Sequence, residues 1–504
     1  MGTPAVHCRH PHGGWCNRQH VGFWSPKYGF ESCPPSQSLE VIETVSVRAI
    51  VLAAGKGTRM RSTAPKVLYE VAGRPIISWV VDAVRTAGVA DLTVVVGHGA
   101  EAVSEVLPAG ARSVVQEKQR GTGHAAQVAT AAMGDLTGDV VLIVPGDSPL
   151  FRSETFAALL SAHAANDAAC TVLTTRMPDP AGYGRVVRED GEVARIVEER
   201  DADAAARAID EVAVSTYAFD GEALVAALGR LTAENDQGEF YLTDAVGLVG
   251  GLGMVAGFEI ADHAEALGVN SHDQLATVEA AMRARINRGW MTAGVRMVDP
   301  DRVYVDASVT LEAGATIYPG VHLSGASRVA AGAVVGPDTF VIDSTIGRSA
   351  RVWYSVVRGS EVGEYAEVGP YASLRPGTVL GAGTKAGTFV EVKASTIGRG
   401  SKVPHLSYIG DATIGEDSNI GAGTITCNYD GFRKHHTTIG SRVFIGSDTM
   451  LVAPVEIGDD AITGAGSVIT RDVSPGALAV ERSPQQEIPG YAERRARKAD
   501  SEGE

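Results

Sequence analysis

The feature that most constrains this chain is a period of six. Val305, Leu311, Ile317, Leu323, Val329, Val335 and Val341 recur at that interval. After short slips the register resumes at Val362, Val368, Leu374 and Leu380, then runs through Val403, Ile409, Ile414, Ile420, Ile445, Leu451 and Ile457. An aliphatic residue every six, often followed by glycine and then by a small or polar residue, is the hexapeptide signature of a parallel β-helix. Each six residues make one flat face of a triangular coil: the aliphatic side chain points to the axis, and Gly, Ala or Ser lets the chain turn the corner. Glycine makes up 59 of 504 residues, well above the usual share of about 7%, and the repeat absorbs most of the excess. The spacing predicts the coil over residues 296–472.

Upstream the pattern changes. RAIVLAAG, LTVVVGHG and DVVLIVPGD read as buried strands, separated by helical runs such as ISWVVDAVRTAG. That cadence predicts stacked βαβ units around a parallel sheet over 47–271, with ligands gathering at the carboxyl ends of the strands. Residues 272–295 carry Leu275, Val278, Met282 and Ile286 at intervals of three or four, the spacing of one amphipathic linker helix. The polar stretch 473–504 is expected to fray. Residues 1–46 read as a disordered or mis-started leader; its Cys8, His10, His12, Cys16, His20 and Cys33 lack the paired spacings of a zinc site.

Lys+Arg is 44 against Asp+Glu 60, a formal net charge of −16. This excludes sequence-independent binding to nucleic acid or to an anionic bilayer, so no nucleic acid and no membrane are expected as partners, and any anionic ligand must be captured by local groups. No run approaches the roughly 20 apolar residues of a membrane helix. Five cysteines spread over a long chain suit a reducing compartment, hence a cytoplasmic protein.

LAAGKGTRM (52–60) follows a strand and precedes Pro65 and Lys66. Glycines at 55 and 57 let backbone N–H groups approach a phosphate, while Lys56, Arg59 and Lys66 supply positive charge. Asp147 ends a strand in PGD; an acid facing a phosphate loop is a natural Mg2+ ligand, its bland alternative being a helix cap. With GTGHA (121–125), GYGR (182–185), IVE (196–198) and GVN (268–270), these motifs resemble, in order, the sugar-1-phosphate uridyltransferases among the nucleotide-sugar pyrophosphorylases. The resemblance implies a Rossmann-like nucleotidyltransferase domain with Arg59 and Lys66 on phosphate. It further implies UTP and sugar contacts from Leu52, Ala53, Gly55, Gln116, Gly121, Thr122, Gly184, Glu198 and Asn270, and Mg2+ on Asp147 and Asn270. Two positions depart from the family pattern: Ala213 stands where an Asn touches the sugar, and Pro145 replaces a Tyr or small polar residue. One sugar hydrogen bond is thereby lost, about 0.5–1.5 kcal/mol, with Ser215 or Thr216 as candidate substitutes.

Polar residues in the coil are also patterned. Arg375, Glu391, Lys393, His405, Tyr408 and Asn419 fall on nearby turns, and the insertion TCNYDGFRKHHTT (426–438), with Asn428, Tyr429 and Lys434, interrupts the hexads. Arg375, Lys393 and Tyr408 can bind a phosphate and His405 can take a proton from an amine; a lone solenoid histidine is otherwise a solvated residue. With LRPG, FVEVK, HLSYIGD, NIGAGTITCNYDG and GSDTMLVAP, residues 48–486 resemble the bifunctional GlmU family. The resemblance implies a left-handed coil, His405 as base with Glu391 assisting, and Arg375, Lys393, Tyr408, Asn419 and Lys434 on glucosamine-1-phosphate. It places Ala422, Asn428, Tyr429, Ser447, Ala465 and Arg482 on acetyl-CoA, with the Tyr429 amide polarising the thioester. It implies a homotrimer as well.

The expected function is therefore acetyl transfer to glucosamine-1-phosphate, then uridyl transfer from UTP to N-acetylglucosamine-1-phosphate. The alternatives are an acetyltransferase with a drifted nucleotidyl half, motivated by Ala213 and Pro145, and a non-catalytic regulatory or assembly subunit, which has no need of Lys66, Asp147 or His405.

Overall fold

The computed structural model describes residues 46–55 and 57–502; Lys56 and the Cys/His set of the leader lie outside them. The strand Val47–Ala53 sits inside a sheet ordered 255–259, 170–176, 211–220, 140–145, 47–53, 91–96, 111–115. All are parallel except Glu211–Asp220, which runs antiparallel to both neighbours. The apolar runs are continuous because both faces are covered: Ala49, Ile50 and Val51 are fully buried, against the helix Ile76–Thr86 on one side and Thr122–Met133 on the other. A hairpin, Gly184–Glu189 with Glu192–Val197, branches from Glu211–Asp220 where Gly184 pairs with Ala213. The carboxyl ends of Val47–Ala53 and Val140–Pro145 lie side by side, with Leu52 opposite Pro145. The loops carrying Gly55 and Asp147 thus leave the sheet together.

The helix His272–Thr292 buries Val278 and Met282, with Leu275 and Ile286 partly buried in the same cluster. It braces both halves of the chain. Glu279 accepts from the Ala72 amide and Arg285 donates to Leu150 O, while the buried Asn287 amide donates to Pro300 O and Val303 O of the first coil.

Beyond it, parallel strands form three sheets of 11, 10 and 9 strands, a left-handed parallel β-helix. Every aliphatic residue of the six-residue series is buried, none more than 4% exposed, and all lie in one core. Turns are not uniform in length. Leu323 pairs with Val341, eighteen residues on, but Val341 pairs with Val357, sixteen on, so Ile346 and Val352 are axial residues that a strict period passes over. Corners are also turned by bulky residues: Tyr354, Tyr371, Phe389 and Leu406 adopt φ of 47, 59, 56 and 48°, where glycine or another small residue was expected. Glycine is required instead where coils meet: a Cβ at Gly381 would lie 2.8 Å from the Arg399 amide.

The coil runs past residue 472, since Leu478–Ala479 pairs with Ile462–Thr463. The tail expected to fray carries a helix, Tyr491–Glu502, whose described residues are exposed. No helix of the described residues is long and apolar enough to cross a membrane.

Candidate functional site

In the N-terminal half the two loops and the start of the linker helix converge on one ammonium. Lys66 Nζ is bonded to Asp147 and to Asn270 Oδ1, the latter at 2.9 Å. The backbone fixes this arrangement: Val269 N donates to Asp147 O, Asn270 N to Gln274 Oε1, and Gly146 N to Leu52 O. A carboxylate and an amide oxygen aimed at one cation are hard donors of the kind Mg2+ accepts. Among the described residues no group of three or more His, Cys, Asp or Glu could hold a metal. Arg59 is exposed and bonded to no described side chain, at the rim of the turn Thr58–Met60.

Gln116 is buried, its Nε2 donating to Gly121 O at 3.1 Å and lying 2.9 Å from His124 Nδ1. Burial and the nearby Arg120 charge hold His124 below the usual histidine range, so its neutral ring can accept that bond. Gly121 caps the helix Thr122–Met133 with φ 103°, and Thr122 Oγ1 accepts from Leu242 N at 3.0 Å. A cavity of about 510 Å3 opens beside Gln116, lined also by Gly97, His98, Val115, Glu117 and Gln119. Across the sheet, a Cβ on Gly184 would meet Ile196 and approach Glu198. Burial raises the Glu198 carboxyl above the ordinary range, although Thr243 Oγ1 donates to it at 2.9 Å. Tyr183 is likewise raised, by burial and then by the Asp147 charge.

Ala213 is buried, opposite Gly184 and Thr174, and the strand then shifts register before Tyr217. Thr216 is fully buried with its hydroxyl 3.4 Å from Val214 O, so it is turned inward and is no substitute for the missing Asn. Ser215 is exposed at φ 55°. Pro145 stays in its strand without disturbing Asp147.

On the coil, Ser373, Glu391 and Tyr408 are consecutive partners on one face. Arg375 Nη1 bonds Glu391 Oε1 at 2.7 Å, and Lys393 Nζ lies 3.2 Å from Asp411. Lys434 reaches the same spot from the insertion: its contact with Lys393, and then the Lys393 charge, hold Lys434 below the ordinary lysine range, while the same contact and Asp411 hold Lys393 above it. His405 ends the strand Lys402–His405 at the corner before Leu406; it is exposed and its ring bonds no described residue.

Below that corner the next corners stack in a column. Asp448 N donates to Ala422 O, Gly466 N to Ser447 O, and Arg482 Nη1 to Ala465 O at 2.8 Å. Four residues far apart in sequence thus line one edge under His405. The insertion folds as a hairpin in which Tyr429 bridges Lys434. His435 N donates to Asn428 O and Asp430 N to Arg433 O, so Tyr429 is in a non-hydrogen-bonded pair and its N–H points outward, bonded to no described residue. Asn419 is not brought to the phosphate binders: it pairs with Lys402 and Phe444 on the adjoining face.

Sequence reasoning missed His124, Tyr183, Thr243 and Asp411. Three of them lie inside motifs already quoted, GTGHA, GYGR and HLSYIGD.

Comparison with known proteins accounts for both halves. Residues 49–214 match the MobA-like NTP transferase domain, and residues 436–471 match the bacterial transferase hexapeptide (six repeats). A Streptomyces coelicolor protein named bifunctional protein GlmU is 49% identical over 453 residues, covering 88% of this chain and 94% of its own. Proteins of the same name from Heliobacterium modesticaldum and Mycolicibacterium gilvum are 50% identical over 439 residues and 48% over 455. They cover 86% and 88% of this chain, and 95% and 91% of theirs. With both halves matched in order along nearly the whole of these relatives, the chain belongs to the bifunctional GlmU family.

Proposed function

We propose that the chain performs two successive transfers: acetyl from acetyl-CoA to glucosamine-1-phosphate on the β-helix, then uridyl from UTP to N-acetylglucosamine-1-phosphate in the N-terminal domain, releasing pyrophosphate. The observation that carries this reading is the presence of two separate anion-receiving clusters, Lys66 with Asp147 and Asn270, and Lys393 with Arg375 and Tyr408.

In acetyl transfer, Arg375, Lys393 and Tyr408 receive the sugar phosphate, with Lys434 on the sugar, and the phosphate takes over the contacts of Arg375 with Glu391 and of Lys393 with Asp411. The exposed His405 ring accepts the proton as the amine nitrogen bonds to the acetyl carbon; the C–S bond breaks and CoA leaves as the thiolate. The unengaged Tyr429 N–H donates to the thioester oxygen as it gains charge. In uridyl transfer, the sugar-phosphate oxygen bonds to the α-phosphorus of UTP in line with the departing pyrophosphate, and no protein base is needed because the nucleophile is already an anion. Lys66 and Arg59 balance charge on the phosphates, Gln116 and the Gly121–Thr122 turn hold the base, and Gly184 and Glu198 face the sugar. Mg2+ held by Asp147 and Asn270 would add charge neutralisation at the phosphates.

We read the assembly as a homotrimer. The exposed corner column Tyr354, Tyr371, Phe389 and Leu406 offers an apolar edge beside the acetyl site, and Asn419 on the adjoining face would meet a neighbouring chain's sugar. A reducing cytoplasm suits the free Cys170 and Cys427.

The two reactions are separable by assay. His405→Ala is expected to abolish acetyl transfer and spare uridyl transfer, and Asp147→Ala the reverse. Loss of both activities in either folded variant would refute separate sites, and normal UTP-dependent pyrophosphate release by the unaltered chain excludes a drifted nucleotidyl half.

A further inference from the structure

We propose that Asp411 is a positioning residue for acetyl transfer, acting through the Asn428 side chain to hold the Tyr429 amide in place. The inference rests on the acetyl transfer proposed above.

Asp411 itself has little freedom. It turns a corner at φ 49°, its N–H donates to Lys393 O, and its carbonyl accepts from Thr437 N. Its carboxylate therefore projects from a fixed point, and it joins segments that are distant along the chain. On one side it accepts from Lys393 Nζ, at 3.3 and 3.2 Å to its two oxygens. On the other it accepts from Asn428 Nδ2, which also lies 3.4 Å from Tyr408 Oη.

Asn428 is the base of the insertion hairpin. It is 7% exposed, with its N–H donating to Thr426 O and its carbonyl accepting from His435 N. The groups further out bond within the hairpin: Tyr429 Oη to Gly431 O, and Asp430 to Phe432 N, Arg433 N and His435. These bonds shape the loop without fixing it to the coil. The Asp411–Asn428 bond ties its base, one residue before the outward N–H of Tyr429; the returning limb is held separately, by His436 Nε2 at 3.0 Å from Thr413 Oγ1.

The same carboxylate lies beside Lys393, which receives the sugar phosphate, and Lys434, which faces the sugar. When phosphate arrives it competes for the Lys393 ammonium, whereas the Asn428 amide, a neutral donor, has no reason to follow it. Asp411 thus remains on Asn428 in the loaded site. A carboxylate inside an anion pocket opposes binding, and this second task gives it a reason to be there.

The test is steady-state acetyl transfer by the full chain, with glucosamine-1-phosphate and acetyl-CoA varied separately and uridyl transfer as the measure of folded protein. Asp411→Ala should lower kcat about tenfold or more with KM for acetyl-CoA little changed, because the lost contact matters most as the oxyanion forms. Asp411→Asn, which keeps an acceptor for Asn428 but drops the charge, should restore kcat to within about threefold of the original and lower KM for glucosamine-1-phosphate. Asn428→Ala should reproduce the kcat loss, and the Asp411→Ala/Asn428→Ala double variant should lose no more than about twofold beyond either single change. A purely structural role would lower Tm and active fraction without this split. The inference is overturned if Asp411→Asn is no better than Asp411→Ala, if kcat of Asp411→Ala is unchanged, or if the two losses multiply. Should Asp411→Ala not fold, Asp411→Asn and Asn428→Ala decide the matter by the same KM-against-kcat split. Absence of acetyl transfer in the unaltered chain would refute the proposed function instead.

Discussion

Gly121→Ala is the sharpest probe of the nucleotide site. Gly121 holds φ 103° and ψ 174°, a region open essentially to glycine, and forcing another residue there costs about 1–3 kcal/mol. The new Cβ would also fall 2.5 Å from Phe240 O and 3.0 Å from Phe240 N, both rigid backbone. Segment 239–241 must move away, and with it go two backbone bonds, Phe240 N to Arg120 O and Gly123 N to Phe240 O, each 2.8 Å. At about 0.5–1.5 kcal/mol each these add about 1–3 kcal/mol, for a total of about 2–6 kcal/mol. The Gln116 bond to Gly121 O lies in the path of that shift, so the cost appears where the base of UTP is held. Loss of a third of it from transition-state binding lowers uridyl kcat/KM by roughly tenfold. Pyrophosphate release and CoA thiol release, measured on the same preparation, separate the effects: uridyl transfer should fall while acetyl transfer stays near its original rate. Uridyl kcat/KM within about twofold of the original, at unchanged Tm, would show that Gly121 is not constrained as described.

Other positions give independent checks. Glu198→Gln bears on pH: burial raises the Glu198 carboxyl, so its contribution to stability is present below the unfolded value of about 4.3 and fades as pH rises through the higher folded value. The Tm of Glu198→Gln relative to the parent should therefore climb as pH increases from about 4 to 7; a flat difference would contradict it. Ile409 is fully buried in the axial core, and Ile409→Ala should cost about 2–5 kcal/mol. Because coils stabilise mainly their neighbours, acetyl transfer should fail at lower urea than uridyl transfer, and loss of both at one concentration would argue against this.

The axial column was legible because burial at every sixth position is a strong periodic signal, and no other coil feature repeats as strictly. Ile346, Val352 and Val357 escaped it because the turn from Val341 to Val357 has sixteen residues where the one before it has eighteen, which a fixed period does not encode. Thr426 occupies an axial position as a polar residue, accepted because its Oγ1 bonds Gly410 N and O. The motif residues Lys66, Asp147 and Asn270 meet because adjacent strands end together and the linker helix starts there. Thr243 and Asp411 have partners that are neighbours only after folding, so their roles emerge from packing rather than from local spacing. The tail helix escaped because Tyr491–Glu502 is rich in Ala, Glu, Arg and Lys, good helix formers, yet presents no apolar stripe to mark it.

The Asn287 contacts reach past local stability. A solenoid is open at each end, where unpaired backbone invites another chain to continue the stack. By meeting Pro300 O and Val303 O, the linker helix serves as the terminal cap of the repeat array, and the nucleotidyl domain is what keeps that cap seated. The two halves are therefore joined by a need that precedes any shared metabolite: a coil cut off after Thr292, without that helix, would offer its first turn as a template for end-to-end growth.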